Sequence, residues 1–177
     1  MRNAIIKLAT TAALAFASCY PAAAQLAEGS KAPNFATKAA LAGKEFGFSL
    51  SSALAKGPVV LYFYPKAFTQ GCTLEANAFA EAIPQFKALG ASVIGMSNDD
   101  IETLKRFSRE ECRDAFPVGV ASAKVISAYD VAMGSSGLAS RTSYVIGRDG
   151  KVVTVYSSGD YRGHVTKTLE ALRNLGK

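Results

Sequence analysis

Apolar positions along the chain follow two rhythms, and the switch between them outlines the fold. Residues 59–64, VVLYFY, form an unbroken run of β-branched and aromatic side chains. Gly57-Pro58 precedes it and Pro65 follows it, so it reads as a buried strand. A loop carrying Pro65, Thr69 and Gly71 comes next. The spacing then changes to three and four, with Phe79, Ile83, Phe86 and Leu89 on one face of a helix over about 72–89. Pro84 inside that pattern predicts a kink or a split, and Gly90 a stop. Residues 91–97 read as a second strand. Asp99, with Glu102 three positions on, predicts the cap of the next helix. Ile101, Leu104 and Phe107 are its buried stripe, which fades near Glu111 and leaves Cys112 at or just past the helix end.

The remainder follows the same two rhythms. Residues 116–120 suggest a short strand, and 123–129 a helix with Val125, Ile126 and Tyr129 inward. Residues 134–137 form a glycine-bounded loop. Strands over 142–146 and 151–157 are joined through Asp149-Gly150, a strong turn signal. Val165, Leu169 and Leu172 mark a last helix. Upstream, Gly29, Pro33 and Asn34 argue against a helix over 25–35. Residues 36–56 suggest a hairpin or extended pieces around Phe46 and Phe48, then one helical turn near 51–54. Together these elements predict an α/β sandwich around a central mixed β-sheet flanked by helices.

The first residues belong to a different pattern. Arg2 and Lys7 precede a small apolar run over 12–17, and Ala22-Ala23-Ala24 offers a cleavage site before Gln25. This predicts a secretory signal peptide over 1–24, with one domain over 25–177, and hence an exported, periplasmic protein. The run is short for a membrane span. Lipidation at Cys19 is the other alternative, but Phe16-Ala17-Ser18 fits it poorly. The chain has 20 basic and 14 acidic residues. They are scattered, which describes a solvated surface and not a nucleic-acid footprint. Past residue 24 no segment is long and apolar enough to span a bilayer.

Without residues 1–24, two of the three cysteines remain, Cys72 and Cys112. Two thiols in an exported chain suggest a pair that can oxidise. They make no metal site by themselves, since His164 is the only histidine and no C-x-x-C or H-x-x-x-H spacing occurs. Cys72 falls where a helix begins after a strand and loop. Unpaired N–H groups and the positive dipole end there favour thiolate over thiol. A buried structural cysteine is the plainer alternative.

Pro65, Thr69 and Cys72 spell P-x-x-x-T-x-x-C. The stretch resembles the active-site loop of the peroxiredoxins, and its flanks look most like the bacterioferritin comigratory protein (peroxiredoxin Q) branch. GSKAPNF resembles the start of such a domain. The resemblance covers nearly all of 25–177. It implies a thioredoxin-like fold and a thiol peroxidase that reduces hydrogen peroxide and organic hydroperoxides with Cys72. It implies no metal, haem or flavin cofactor, a thioredoxin-like reductant and a monomer.

The resemblance also assigns roles. Thr69 would bridge thiolate and peroxide, Pro65 would end the strand and shield the pocket, and Arg141, in LASRTSYVI, would lie over the thiolate. An ordinary cysteine of pKa near 8.5 is only about 3 per cent ionised at pH 7. Full ionisation therefore gains about thirtyfold, so the site must also align the peroxide and stabilise the leaving oxygen. Many relatives resolve the oxidised cysteine with a second one five residues on, where this chain has Asn77. Others resolve from the region of Cys112, which implies an intramolecular Cys72–Cys112 disulfide; a one-cysteine enzyme using external thiol is the alternative. His164 reads as a surface histidine, and Asp99 and Asp100 as helix-capping groups. A thiol–disulfide oxidoreductase would want C-x-x-C, but Thr69 and Glu75 stand three before and three after Cys72. A redox-inert binding module is the remaining rival.

Overall fold

The computed structural model describes residues 25–175. The signal peptide expected over 1–24, and Cys19 with it, lies outside the described residues. In chain order the elements are β1 (Ala36–Leu41), β2 (Lys44–Ser49), α1 (Leu50–Leu54), β3 (Val59–Phe63), α2 (Gln70–Ala88) and β4 (Ser92–Ser97). There follow α3 (Ile101–Glu110), β5 (Val118–Val120), α4 (Ala123–Ala128), β6 (Thr142–Ile146), β7 (Val152–Ser157) and α5 (Arg162–Leu175). The strands form one seven-stranded sheet among the described residues, in the order β2-β1-β5-β4-β3-β6-β7. β3 pairs parallel with β4, and β4 with β5; the other pairings are antiparallel. The mixed sheet expected from the sequence is therefore present.

β3 lies inside the sheet with all five residues buried. Alternation along it feeds two cores. Val60, Tyr62 and, one step past the strand, Tyr64 join Phe79, Phe86, Leu104, Phe107, Leu169 and Leu172 under α2, α3 and α5. Val59, Leu61 and Phe63 join Leu50, Ile126, Tyr129 and Tyr144 under α1 and α4. Gly95 of β4 lets the Tyr62 ring lie flat across the sheet, since a Cβ there would meet that ring at 2.7 Å. No helix among the described residues is long and apolar enough to cross a membrane.

One local expectation is narrowed and two are corrected. α2 runs through Pro84 without splitting. Pro84 lies on the exposed side, and its ring forgoes only the one bond to the Ala80 carbonyl. α2 also begins at Gln70, two residues before the sequence pattern suggests. Finally, the cap of α3 is Asp100, whose side chain accepts from Thr103 N–H, and not Asp99. Two adjacent aspartates offer equal caps by sequence; a tertiary contact takes Asp99 elsewhere.

Candidate active site

The loop between β3 and α2 is pinned at several points. Tyr64 N–H still donates to Met96 O at 3.0 Å, and Pro65 then ends the ladder because it has no N–H to give. Asp99 Oδ2 accepts from both Ala67 N–H and Ser97 Oγ, each at 2.8 Å. Asp99 thus fastens the loop to the end of β4. Phe68 takes a left-handed backbone, φ 62°, which costs a non-glycine residue about 1–2 kcal/mol. Its ring is held edge-on by Phe107 at 5.2 Å and covered by the Arg106 guanidinium at 5.1 Å.

Thr69 is the N-cap of α2, but its side chain makes no capping bond. Its hydroxyl donates instead to Lys66 O at 2.9 Å. The expected bridge from Thr69 to the sulfur is absent among the described contacts; the hydroxyl proton shapes the loop, and only its lone pairs stay free to accept. The first N–H groups of α2 consequently have no side-chain cap and point toward the Cys72 end of the helix.

Cys72 is the third residue of α2 and is 2% exposed. Arg141, in the loop before β6, donates from Nη2 to Cys72 Sγ at 3.5 Å. The Arg141 side chain is 9% exposed. Its Nε donates to Gly159 O at 3.2 Å and its Nη1 to Glu75 Oε2. A rigid fork held at three points keeps one arm on the sulfur. Gly71 makes room for that arm, because a Cβ there would stand 3.1 Å from Arg141 Nη2. Burial works against the guanidinium charge, but Glu75 and the Cys72 sulfur outweigh it and raise the Arg141 pKa.

Glu75 lies one helical turn beyond Cys72, on the same side, and is fully buried. Burial pushes its carboxyl up to about 8, against the pull of Arg141. His164, expected at the surface, is instead buried at the start of α5. Its Nδ1 lies 2.8 Å from Ser143 Oγ and 3.7 Å from Glu75 Oε1. Its Nε2 lies 3.1 Å from Ser158 O. Burial lowers the His164 pKa to about 4, so the ring is neutral at pH 7.

Cys112 sits just past α3, fully buried, with its N–H donating to Phe107 O at 3.0 Å. Burial, then the Glu111 and Asp114 charges, push its thiol well above the ordinary range. Arg113 and Asp114 both take left-handed backbone, φ 51° and 56°. Cys72 and Cys112 are both free thiols within the same apolar layer. Asn77 donates to Glu111 Oε2 at 3.3 Å, tying α2 to the residue before Cys112. Among the described residues, no cluster of His, Cys, Asp and Glu gathers as metal ligands would.

The structure thus brings Cys72 and Arg141 into contact and sets Pro65 and Thr69 in the loop beside them. Sequence reasoning missed Glu75, His164 and Ser143 as parts of the site. Glu75 carried a weak signal, a carboxylate one turn from the cysteine.

The chain as a whole has known relatives. The AhpC/TSA family model matches residues 29–155. Peroxiredoxin Q of the Suaeda salsa chloroplast is 36% identical over 155 residues, covering 86% of this chain and 70% of that protein. The crystal structure of peroxidoxin BcpB from Mycobacterium tuberculosis superposes with a TM-score of 0.76 at 34% identity, covering 84% of this chain and 97% of that one. The bacterioferritin comigratory protein of Xanthomonas campestris, whose structure was determined to explain alkyl peroxide reduction, superposes at 0.69 with 28% identity over 79% of this chain and 92% of that one. The chain belongs to the AhpC/TSA family, and within it to the peroxiredoxin Q and bacterioferritin comigratory branch. The mixed sheet with helices on both faces is the thioredoxin-like fold of those structures.

Proposed function

We propose that this chain is a thiol peroxidase that reduces hydrogen peroxide and organic hydroperoxides through Cys72. One observation carries the reading: a cysteine sulfur in the first turn of α2 faces a buried guanidinium at 3.5 Å. The relative from Xanthomonas campestris, described for alkyl peroxide reduction, supports the organic substrates.

In this reading the Cys72 thiolate attacks one peroxide oxygen. An S–O bond forms, the O–O bond breaks, sulfur is oxidised by two electrons, and the departing alkoxide or hydroxide takes a proton and leaves as alcohol or water. Arg141 and the uncapped N–H groups of α2 stabilise negative charge as it moves from sulfur to the leaving oxygen. Arg141 keeps its own proton throughout. Thr69 accepts from the peroxide O–H, and Pro65 walls the pocket.

Cys112 then attacks the Cys72 sulfenic acid, forming a disulfide and releasing water, and a thioredoxin-like dithiol reduces that disulfide. The Cys112 thiol must lose its proton and its burial to do so, which requires the end of α3 to open. The left-handed backbone at Arg113 and Asp114 costs a non-glycine residue about 1–2 kcal/mol, which favours opening at that turn. The leader-like pattern of residues 1–24 places the enzyme, in this proposal, outside the cytoplasm with a reductant of that compartment.

The test is peroxide consumption by the purified protein with dithiothreitol, and separately with a thioredoxin system. Cys72→Ser falls to the buffer background in both. Cys112→Ser keeps activity with dithiothreitol and loses it with thioredoxin. Unchanged consumption by Cys72→Ser overturns the peroxidase reading. Mass spectrometry after one equivalent of peroxide tests resolution: a Cys72–Cys112 cross-linked peptide pair supports it, and a free Cys112 beside Cys72 capped by external thiol replaces it with a one-cysteine cycle.

A further inference from the structure

The polar chain behind Cys72 runs deeper than holding the sulfur requires. Arg141 gives one arm to Cys72 Sγ and another to Glu75 Oε2. The other carboxyl oxygen, Glu75 Oε1, is buried and has no hydrogen-bond partner among the described residues. His164 Nδ1 stands 3.7 Å from it.

The His164 tautomer follows from its partners. Nε2 faces a carbonyl, Ser158 O, and a carbonyl only accepts, so Nε2 carries the hydrogen. In a neutral ring Nδ1 is then a lone pair, which accepts from the Ser143 hydroxyl. If Glu75 is ionised, two lone-pair atoms face each other across a buried gap with no donor for Oε1. A single proton on one of them removes the conflict.

We propose that Glu75 and His164 together hold one exchangeable proton, and that this proton frees the charge of Arg141 for the Cys72 sulfur. With the proton present the pair is neutral, and the guanidinium faces the sulfur as an uncompensated cation. Without it, the Glu75 carboxylate and the thiolate compete for one cation in a buried site. A negative sulfur therefore strengthens the pair's hold on its proton, and the proton favours a negative sulfur; the two effects are equal by linkage. Glu75 and His164 act through Arg141 and are positioning residues.

The neighbouring groups are consistent with this. Cys72 faces the pair from α2 itself and Arg141 from the loop before β6. Tyr62 of β3 is kept protonated by burial. Tyr156 of β7 lays its ring edge-on to His164 at 4.8 Å. Asp160, before α5, is exposed and spent on Arg162. Burial holds the Glu75 carboxyl near 8 and the imidazole near 4, which puts the proton on Glu75 at neutral pH and releases it in mild alkali.

This inference deepens the peroxidase reading, since it requires Cys72 to be the ionised nucleophile, but its test uses no peroxide. His164 is the only histidine in the chain, so its Cε1–H signal in the proton NMR spectrum needs no assignment by mutagenesis. In the reduced protein that signal shifts with a midpoint near pH 8. After iodoacetamide has capped Cys72, verified by peptide mass, the sulfur charge is gone and the midpoint falls by about one pH unit. Glu75→Gln, which mimics the protonated carboxyl, abolishes the inflection. A signal flat from pH 6 to 10, or a midpoint unmoved by capping, overturns the shared proton. Neither result touches the peroxidase reading, which the Cys72→Ser consumption assay decides.

Discussion

At the scale of single residues, the Arg141 fork ties the sulfur to two other elements at once. Three acceptors hold it: Gly159 O, Glu75 Oε2 and Cys72 Sγ. Arg141→Lys keeps the charge but offers one ammonium where a planar fork is needed. Its rate constant for peroxide falls about 10²–10³-fold, the usual loss when one preorganised donor to a developing oxyanion is removed. Rapid-mixing peroxide consumption measures it. Gly71→Ala is a smaller perturbation, because the added methyl stands 3.1 Å from Nη2 and must push the guanidinium aside. A roughly tenfold lower rate with unchanged folding is expected, since small misplacements of a positioning group are costly.

The buried pair also sets a pH dependence of stability. In the unfolded chain Glu75 ionises near its ordinary 4.5 and His164 near 6.5; folded, they titrate near 8 and near 4. Between about 4.5 and 6.5 the pair carries one proton in both states, so its contribution is level. Between 6.5 and 8 the unfolded pair has lost that proton and the folded pair keeps it, so stability falls as pH rises. Urea midpoints across pH 5–9 show this decline in the wild type, and Glu75→Gln removes it. None of this pairing is legible in the sequence. Glu75 and His164 meet only because α5 packs on α2, and the YRGH stretch around His164 looks like surface. By contrast P-x-x-x-T-x-x-C is contiguous, so Cys72, Thr69 and Pro65 could be named from it.

At the scale of elements, most of the fold was readable because periodicity switches cleanly between strand and helix. The cap of α3 moved because a tertiary contact settles it. Asp99 and Asp100 are adjacent, and only the folded loop decides that Asp99 takes Ala67 N–H while Asp100 caps α3. Asp99→Ala leaves Ala67 N–H and the Ser97 hydroxyl without their shared acceptor. It lowers stability by about 1.5–3 kcal/mol, measured by urea denaturation, as expected for bonds to a charged group. Asn77, where many relatives carry the resolving cysteine, here ties α2 to Glu111. If Cys112 resolves by opening that turn, Asn77→Ala removes a restraint worth about 1 kcal/mol and speeds disulfide formation about fivefold. The lifetime of the Cys72 sulfenic acid, trapped with dimedone, reports it.

At the scale of the whole molecule, the two thiols share one apolar layer between the sheet and the helices α2, α3 and α5. Tyr62 packs in the same layer, its phenol held well above the ordinary range by burial. A disulfide between them would draw a core residue out of that layer. Drawing a buried residue out costs about 2–5 kcal/mol, while a cross-link over about 40 residues restrains the unfolded chain by roughly 4 kcal/mol, so the oxidised protein is expected to melt within a few degrees of the reduced one in calorimetry.

Phe107 belongs to both halves of that rearrangement. Its ring clamps Phe68 in the loop before the peroxidatic helix, while its carbonyl receives the N–H of Cys112. If Cys112 resolves Cys72, a motion that delivers the second sulfur would also release the Phe68 ring, and closure of the cross-link would then be tied mechanically to departure of the spent alcohol.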